Sequence, residues 1–555
     1  MKKKIAIIFV FIYCLVSVQC CFGAEIRQSM VNKGNKKNTI IFVPLDSRPI
    51  TNEQTVDTVV RLGYKVLTPP EKYLGTKDFW GNPDELWNWL EETTETNKEQ
   101  VIAVVLSCDS LMYGSLVGSR CHDYSNRTLV ERVRRFVDYH NKFPKIKKYA
   151  YSSIMRTTRF TKTGVENKNY DDFGDKFFRY TVLLDKKELG LCSYEEKLEL
   201  IKLRVNIPIE MLNGWMILRN RNFLVNRQLL VLAKYSFFDY LVFARDDNEI
   251  FSQTHRESRR LTKYAEKLDL NNFQNLAGLD EIGALMLLRA INEANDEKPS
   301  VYVKYNDGVG GKTVPMFSDE SIEKTVKNQI LCINGVVATS PENASLVLLV
   351  NTSVDGKFIR HYQMALKGNF EFLAKPVTDA QIKQKEIQEA SAKKFVDIVN
   401  NFVEKGYPVA VADISHPNGS DDAVMNLFRV RRLLFRLRAY SGWNTATNST
   451  GYALAQGIIG NKLSTKDRTE LLLVRYIDDW LYQRIVRNII INDLAKIGGR
   501  YIYDFKDKKE VIEEDVNDLM HTAIYNYLPV FDELDNVSFS NPWNRMFEIS
   551  IRFNE

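Results

Sequence analysis

Short runs of large apolar residues alternate with amphipathic stretches along most of the chain. Continuous apolar runs, without a polar residue at every second position, are typical of parallel strands that are covered on both faces. In the first half of the chain these runs predict strands at 40–43, 65–67, 101–106, 149–154 and 241–244. Between them, apolar residues at helical spacing predict helices at 52–62, 128–139 and 195–205.

A second set of candidate strands follows at 301–305, 346–350 and 409–412, and helical patterns prevail from about residue 465. Strands that alternate with helices predict an α/β fold with a largely parallel sheet. Both a (β/α)-barrel-like architecture and two doubly wound domains fit this order, and the periodicity leaves both open. The predicted units are an N-terminal α/β domain at 39–295, a second α/β domain or continuation of the barrel at 296–460, and a helical C-terminal region at 461–555.

The first 24 residues have the pattern of a secretory signal peptide. Lys2, Lys3 and Lys4 precede an apolar stretch at 5–18, and Gly23-Ala24 supplies the small residues of a cleavage site. We therefore expect export, to the periplasm, the cell surface or the medium, with residues 25–38 as a polar tether. An uncleaved anchor helix is the alternative, although the apolar stretch is short for a span of about 20 residues.

Charge and cysteine content exclude some classes of protein. The formal net charge of +6 includes the three lysines of the signal peptide, and the remaining basic residues are spread evenly. This pattern does not predict a nucleic-acid-binding surface. Beyond residue 24 the chain keeps Cys108, Cys121, Cys192 and Cys332, whose wide spacing is not that of a zinc site. Whether Cys108 and Cys121 form a disulfide is a question that the sequence leaves open.

Several predicted strands run directly into charged residues. The stretch LVFARDDNEI at 241–250 passes from a buried-looking strand to Arg245, Asp246 and Asp247. Other strands end in the same way, at Asp46 and Arg48, at Asp109, at Arg156 and Arg159, and at Asp413. Because the carboxyl ends of parallel strands meet at one edge of the sheet, this pattern predicts a polar pocket there.

Nine motifs together resemble the bacterial DUF4127 family: VPLDSRP, SCDSLMYGSLVGSR, IMRTTR, RNRNFLVNR, FARDDN, GLDEIG, ADISHPNGSDD, YSGWNTATNSTG and YIDDWLYQ. They occur in this order and cover nearly the whole chain after the signal peptide. The function of that family is not established, so the resemblance implies kinship without a mechanism.

The adjacent carboxylates Asp246 and Asp247 are candidates for acid–base chemistry. Two neighbouring acids repel each other, which raises one pKa and can place a protonated acid beside an ionised base. The alternative is structural: one of them pairs with Arg245 or caps the helix that begins near Ser252. Asp280 and Glu281 present the same choice, because they precede an apolar helix at 282–291 and suit its first turn.

A second group of candidates comes from the loops at 418–422 and 440–445. Asn418-Gly419-Ser420 is a small-residue loop whose amides can approach a ligand, and Asp421 follows it at the start of a helix. Trp443 and Asn444 combine an aromatic ring with an amide, a mixture that can stack on a sugar. A Trp in the core would give the same pattern.

The sequence gives less support to a metal site or a nucleotide-binding site than to a carboxylate-lined pocket. The six histidines are scattered without an HExxH pair, although His416 lies close to Asp413 in sequence. An oxygen-ligand site for Mg²⁺, Mn²⁺ or Ca²⁺ stays an open alternative, and its ligands would be Asp46, Asp109 and Asp413. Neither a P-loop nor a G-x-G-x-x-G motif occurs, and the sequence specifies no cofactor.

We therefore expect an exported hydrolase with a carboxylate-lined pocket, and favour hydrolysis of glycosidic bonds by paired acids. The candidate catalytic residues are Asp246, Asp247, Asp109 and Glu281. The candidate substrate-binding residues are Asp46, Arg48, Tyr113, Arg156, Arg159, Asp280, Asn418, Asp421, Trp443 and Asn444. A metal-assisted amide or ester hydrolase and a non-catalytic protein that binds a small molecule or glycan are the alternatives. We expect contact with a membrane only through the signal peptide.

Overall fold

The computed structural model describes residues 37–159, 163–356, 379–529, 534 and 536–553. The predicted signal peptide and all of the predicted tether except its last two residues lie outside these ranges. The described chain is a mixed α/β structure with two separate parallel sheets, which confirms the predicted fold class. Within the described residues the strands form two open, doubly wound sheets rather than a barrel.

The first sheet has six strands, all parallel, in the order β2-β1-β3-β4-β5-β6. The strands are β1 (Thr39–Val43), β2 (Lys65–Leu67), β3 (Val101–Ser107), β4 (Lys147–Ile154), β5 (Tyr240–Arg245) and β6 (Phe273–Ala277). Its helices are α1 (Glu53–Val60), α2 (Pro83–Asn97), α3 (Cys108–Tyr113), α4 (Leu116–Cys121), α5 (Asn126–Lys142), α6 (Lys168–Glu188), α7 (Tyr194–Asn206), α8 (Ile209–Lys234), α9 (Gln253–Lys267) and α10 (Ile282–Ala294). Strands β1 and β5 are buried along their whole length, as their unbroken apolar runs require.

The second sheet has five parallel strands in the order β11-β10-β9-β7-β8. They are β7 (Ser300–Tyr305), β8 (Val336–Val337), β9 (Leu346–Asn351), β10 (Val409–Asp413) and β11 (Ala439–Ser441). Helices α11 (Ile322–Cys332), α12 (Asp379–Glu404), α13 (Asp422–Val430) and α14 (Ala446–Gly460) accompany them. In both sheets the third strand along the chain lies on the other side of the first, which creates a switch point where open α/β sheets commonly bind ligands.

The C-terminal region is helical, as predicted, but it ends in an antiparallel pair of strands. It contains α15 (Thr465–Arg475), a π-helix (Tyr476–Val486), α16 (Arg487–Lys496) and α17 (Lys509–Tyr527), followed by β12 (Val537–Ser540) and β13 (Ser550–Phe553). Helix α14 is buried at every position and packs against α10, β10 and β11. One apolar core therefore runs from the first sheet into the second.

Two further features bear on the expectations from sequence. Within the described ranges, Cys108, Cys121, Cys192 and Cys332 are free thiols, so the disulfide that was left open between Cys108 and Cys121 is not formed. Among the helices that the structure describes, none combines the length and apolar character needed to cross a bilayer.

Candidate functional site

The carboxyl ends of the first sheet bring charged side chains together from five strands. We call this group the strand-end cluster, and its members are Asp46, Arg48, Asp109, Arg120, Arg156, Glu166, Asp246, Asp247 and Asp280. Asp46 follows β1 and Asp109 follows β3, and these are the two strands on either side of the switch point. The cluster therefore occupies the edge of the sheet where a ligand is expected.

Asp246 and Asp247 belong to a closed ring of ion pairs. Arg120 binds Asp246, and the Nη1 of Arg156 lies 2.5 Å from the Oδ2 of Asp247. Both arginines also bind the Oε1 of Glu166, at 3.3 Å from Arg120 Nη1 and 2.6 Å from Arg156 Nε. The ring fixes the two neighbouring carboxylates in different directions, each against its own guanidinium.

Asp247 is the more accessible member of the pair. Its side chain is 20% exposed and that of Asp246 is 11% exposed. Asp247 has a positive φ of 29°, a backbone conformation that a non-glycine residue adopts at a cost and that is common at functional sites. Burial raises the pKa of Asp247 to about 6, and the charge of Asp246 adds to the rise against the opposing effect of Arg156.

Arg48 connects the ends of β1 and β6. Its Nη2 lies 2.8 Å from the Oδ2 of Asp46 and 2.6 Å from the Oδ1 of Asp280. Burial raises the pKa of Asp280, while Arg48 opposes the rise. Helix α10 begins at Ile282 with Glu281 at its N-cap, so Asp280 lies one residue outside the capping position. The side chain of Asp280 therefore does not cap the helix, which was its structural alternative.

Asp109 lies in the first turn of α3 and is 1% exposed. Its Oδ1 accepts a hydrogen bond from Ser153 Oγ at 2.5 Å, and its Oδ2 accepts one from the Ser153 backbone N–H at 2.7 Å. Burial raises the pKa of Asp109 to about 6, and the nearby charge of Asp246 contributes to the rise. The cluster thus holds two carboxyl groups, Asp109 and Asp247, that titrate close to neutral pH.

The C-terminal segment between β12 and β13 reaches the same edge of the sheet. Trp543 Nε1 donates to Ser47 Oγ at 3.0 Å, and the guanidinium carbon of Arg48 lies 5.5 Å from the centre of the Trp543 ring. The indole also packs on Val117 and Val165. A residue near the end of the chain therefore forms part of the wall beside Arg48.

Asp413 belongs to a different group, at the carboxyl edge of the second sheet. Its oxygens accept hydrogen bonds from Asn351 Nδ2 at 2.9 Å, from Tyr440 OH at 2.9 Å and from the Asp421 backbone N–H at 2.7 Å. Burial raises the pKa of Asp413 to about 6, and Asp421 adds to the rise. Asp421 also caps α13 by accepting from the Ala423 N–H at 3.0 Å, and the Nε2 of His416 lies 3.8 Å from its Oδ2.

The structure places Glu281 behind the cluster rather than in it. The side chain is fully buried, and its oxygens accept from Asn448 Nδ2 at 2.6 Å and from Gln329 Nε2 at 3.2 Å. Burial raises the pKa of Glu281 to about 8 in spite of these donors. Glu281 therefore joins α10, α11 and α14 in the interior between the sheets.

Trp443 is 2% exposed and packs against Tyr452, Phe547 and Ile50, so its ring is not available for stacking on a ligand. Its neighbour Asn444 donates to Asn448 Oδ1 at 3.0 Å at the start of α14.

The remaining candidates are also outside the strand-end cluster. Arg159 is 61% exposed and pairs with Glu249 at 3.0 Å. Tyr113 is buried and stacks on His122, with the ring centres 4.7 Å apart. Asn418 lies at the edge of the second sheet, where its backbone N–H donates to the Asn444 carbonyl at 2.8 Å.

The oxygen-ligand metal site that the sequence left open for Asp46, Asp109 and Asp413 does not assemble. Within the part of the chain that the structure describes, no three His, Cys, Asp or Glu side chains are grouped so that they could hold a metal ion. Asp46 pairs with Arg48, Asp109 is bound by Ser153, and Asp413 lies in the second group.

The sequence analysis does not single out two members of the cluster, Arg120 and Glu166, or the neighbouring Trp543. Arg120 lies inside one of the family motifs but in a short helix rather than at a strand end. Glu166 lies two residues before the start of α6, and Trp543 lies between β12 and β13. Arg120 is the one basic residue of its motif, SCDSLMYGSLVGSR, which is a signal that could have found it, whereas Glu166 and Trp543 gave no such signal.

Comparison with known proteins identifies the family of the chain and no individual relative. Searches of curated proteins and of solved structures find no match for the chain. The model of a family described as a protein of unknown function (DUF4127) matches residues 40–552, which include every residue of the strand-end cluster. The chain therefore belongs to the DUF4127 family.

Proposed function

We propose that the protein is a hydrolase that works at the strand-end cluster, with glycosidic bonds as the favoured substrate. The observation that carries the proposal is the Asp246–Asp247 pair. Asp247 is partly exposed, and its pKa is raised to about 6, while Asp246 faces the guanidinium of Arg120. A protonated acid beside an ionised carboxylate is the arrangement that acid–base hydrolysis of glycosides needs.

In the proposed reaction Asp247 acts as the general acid. Its proton goes to the glycosidic oxygen as the bond from that oxygen to the anomeric carbon breaks. The oxygen of a water molecule forms the new bond to the anomeric carbon, directly or after a glycosyl-enzyme ester has formed. The second carboxylate, Asp246 or Asp109, takes the proton of that water or forms the ester.

The charge of the cluster supports an uncharged substrate. Its members count six carboxyl groups against three arginines. An excess of acidic groups disfavours an anionic ligand and leaves cationic and neutral ones, and a neutral sugar belongs to the second class. The hydroxyl groups of a sugar can accept from Arg156 and donate to Asp280, whose side chains are 13% and 10% exposed.

The test is a substrate screen with aryl glycosides, aryl esters and peptides, run with the wild type and with Asp247→Asn. The proposal expects turnover of a glycoside that Asp247→Asn lowers about a hundredfold or more, the size expected when a general acid is removed. Turnover that is confined to esters or peptides and is abolished by a chelator would favour metal-assisted hydrolysis instead. Binding of a glycan without turnover would favour the non-catalytic alternative.

Export is part of the proposal. The charged, apolar and small-residue order of residues 1–24 supports it. Intact-mass measurement of the protein from the periplasm or medium should place the mature N-terminus close to Ala24. A full-length product in the cytoplasm would contradict this part of the proposal.

A further inference from the structure

Helix α7 carries apolar residues on two faces: Leu200 is buried and Leu203 packs inward, while a line of large apolar residues is exposed on the outer face. Tyr194, Leu198, Ile201 and Val205 are 71%, 42%, 62% and 79% exposed, although all four are large apolar residues. They are four, three and four residues apart, so they form one continuous line along the helix, which we call the apolar stripe. Leu191 before the helix and Ile209 after it are 57% and 49% exposed and extend the same apolar surface.

The charged side chains of α7 hold the helix in this orientation. Lys186 of α6 binds Glu196 at 2.5 Å, and Arg179 of α6 binds Glu199 at 2.7 Å. A capping box of Ser193 and Glu196 fixes the first turn. Glu196 and Glu199 thus face the protein, Glu195 is exposed, and the stripe forms one continuous outward-facing line of apolar residues rather than a scatter of single ones.

Lysines flank the apolar stripe on both sides. At 3.6 residues per turn, Lys197 and Lys202 lie about 70° to either side of the centre of the stripe, and both are exposed. Long basic side chains at the border of an apolar face can extend their charge to anionic head groups while the apolar residues enter the lipid. Tyr194, at one end of the stripe, suits the same boundary.

The flanking charges argue against a second copy of the chain as the partner. In a parallel pairing of two stripes, Lys197 of one copy would face Lys202 of the other. In an antiparallel pairing, Lys197 would face Arg204 on one flank, and Lys202 would face Glu195 on the other. Basic residues therefore oppose each other on at least one flank in both orientations, whereas an anionic lipid surface complements all three of them.

We propose that the apolar stripe of α7 docks the protein onto the surface of an anionic lipid bilayer. This contact is separate from residues 1–24 and from the strand-end cluster, and it does not depend on the proposed hydrolase activity. The helix lies in the interface plane and does not span the membrane. Because α6 to α8 are inserted between β4 and β5, the contact also holds the first sheet near the lipid.

The test uses vesicles of phosphatidylcholine with and without phosphatidylglycerol, and the full chain. Hydrogen exchange reports on α7 itself, so binding through residues 1–36 does not obscure the result. We expect slower exchange at residues 194–209 with anionic vesicles. We also expect the triple variant Leu198→Gln, Ile201→Gln, Val205→Gln to lose that protection and to bind about tenfold more weakly.

Two further variants complete the design. Val511→Gln with Tyr525→Gln changes apolar residues on α17 that are 57% and 85% exposed, and it should bind as the wild type does. Lys197→Gln with Lys202→Gln should weaken binding to anionic vesicles only. Unchanged exchange at α7 in the presence of vesicles would overturn the proposal. A wild-type dimer that the triple variant dissociates, without any vesicle effect on α7, would overturn it in favour of self-association.

Discussion

Arg120 and Arg156 share one acceptor, the Oε1 of Glu166, and each binds a different member of the Asp246–Asp247 pair. A single buried glutamate therefore sets the positions of two guanidinium groups and, through them, of two adjacent carboxylates. The side chain of Glu166 is 1% exposed, so it contacts these two guanidinium groups rather than solvent.

Glu166→Gln should destabilise the fold and disturb the ring. Removing one partner from a buried ionic network leaves charge uncompensated, which costs about 3 kcal/mol in the free energy of unfolding. Glu249→Gln is the matched control, because Glu249 pairs with the exposed Arg159 and should cost less than about 1 kcal/mol. Urea denaturation measures both, and equal effects would show that the ring does not support the fold.

Asp280→Asn tests the link between β1 and β6. The change removes a charge that lies 2.6 Å from Arg48, and we expect a loss of about 1–3 kcal/mol in the free energy of unfolding. Asp57→Asn, which disrupts the more exposed pair with Arg61, should cost less than about 1 kcal/mol. A loss from Asp280→Asn no larger than that control would contradict the role assigned to Arg48.

The pH dependence of activity should follow the acid that donates the proton. Because the pKa of Asp247 is raised to about 6, the proton is present below that pH and is lost above it. We expect the rate to fall about tenfold per pH unit above the pKa of Asp247. The Asp247→Asn variant should not show this falling limb of the pH–rate profile. A limb that persists at the same pH in the variant would assign the titration to Asp109, whose pKa is also about 6.

Glu281 should make the fold less stable at high pH. Its pKa of about 8 in the folded chain lies above the ordinary value of 4.5, so the folded state binds the proton more tightly than the unfolded state does. The stabilising contribution is complete below pH 4.5 and is lost as the pH rises through 8, at up to about 1.4 kcal/mol per pH unit. Unfolding measured from pH 5 to 9 should show this slope, and Glu281→Gln should flatten it. An identical slope in the variant would contradict the raised pKa.

The sequence predicts the strands of the first sheet well where both faces are covered. The runs in β1, β3 and β5 are unbroken because helices lie on each side of them. Strand β6 was missed because it lies at the edge of the sheet and contains Gln274 and Asn275 among its apolar residues.

The site could be predicted only in part for a related reason. Asp46, Asp109 and Asp246 follow strands, and parallel strands bring their carboxyl ends together. Glu166 and Trp543 reach the cluster through the packing of distant segments, which no local pattern encodes. Trp443 is a candidate that the sequence predicted and the structure places elsewhere. An aromatic residue in a polar turn gives the same sequence pattern whether it contacts a ligand or, as in this structure, packs against Phe547 and Tyr452.

The most direct test of the account compares the two ends of β5. Asp239 precedes the strand and binds Lys147 at 2.6 Å, while Asp247 follows it at the opposite edge of the sheet. We predict that Asp247→Asn lowers the rate about a hundredfold or more on the substrate found by screening, with the melting temperature little changed. Asp239→Asn should leave the rate unchanged. Full turnover by Asp247→Asn, or an equal loss in both variants, would contradict the assignment of chemistry to the strand-end cluster.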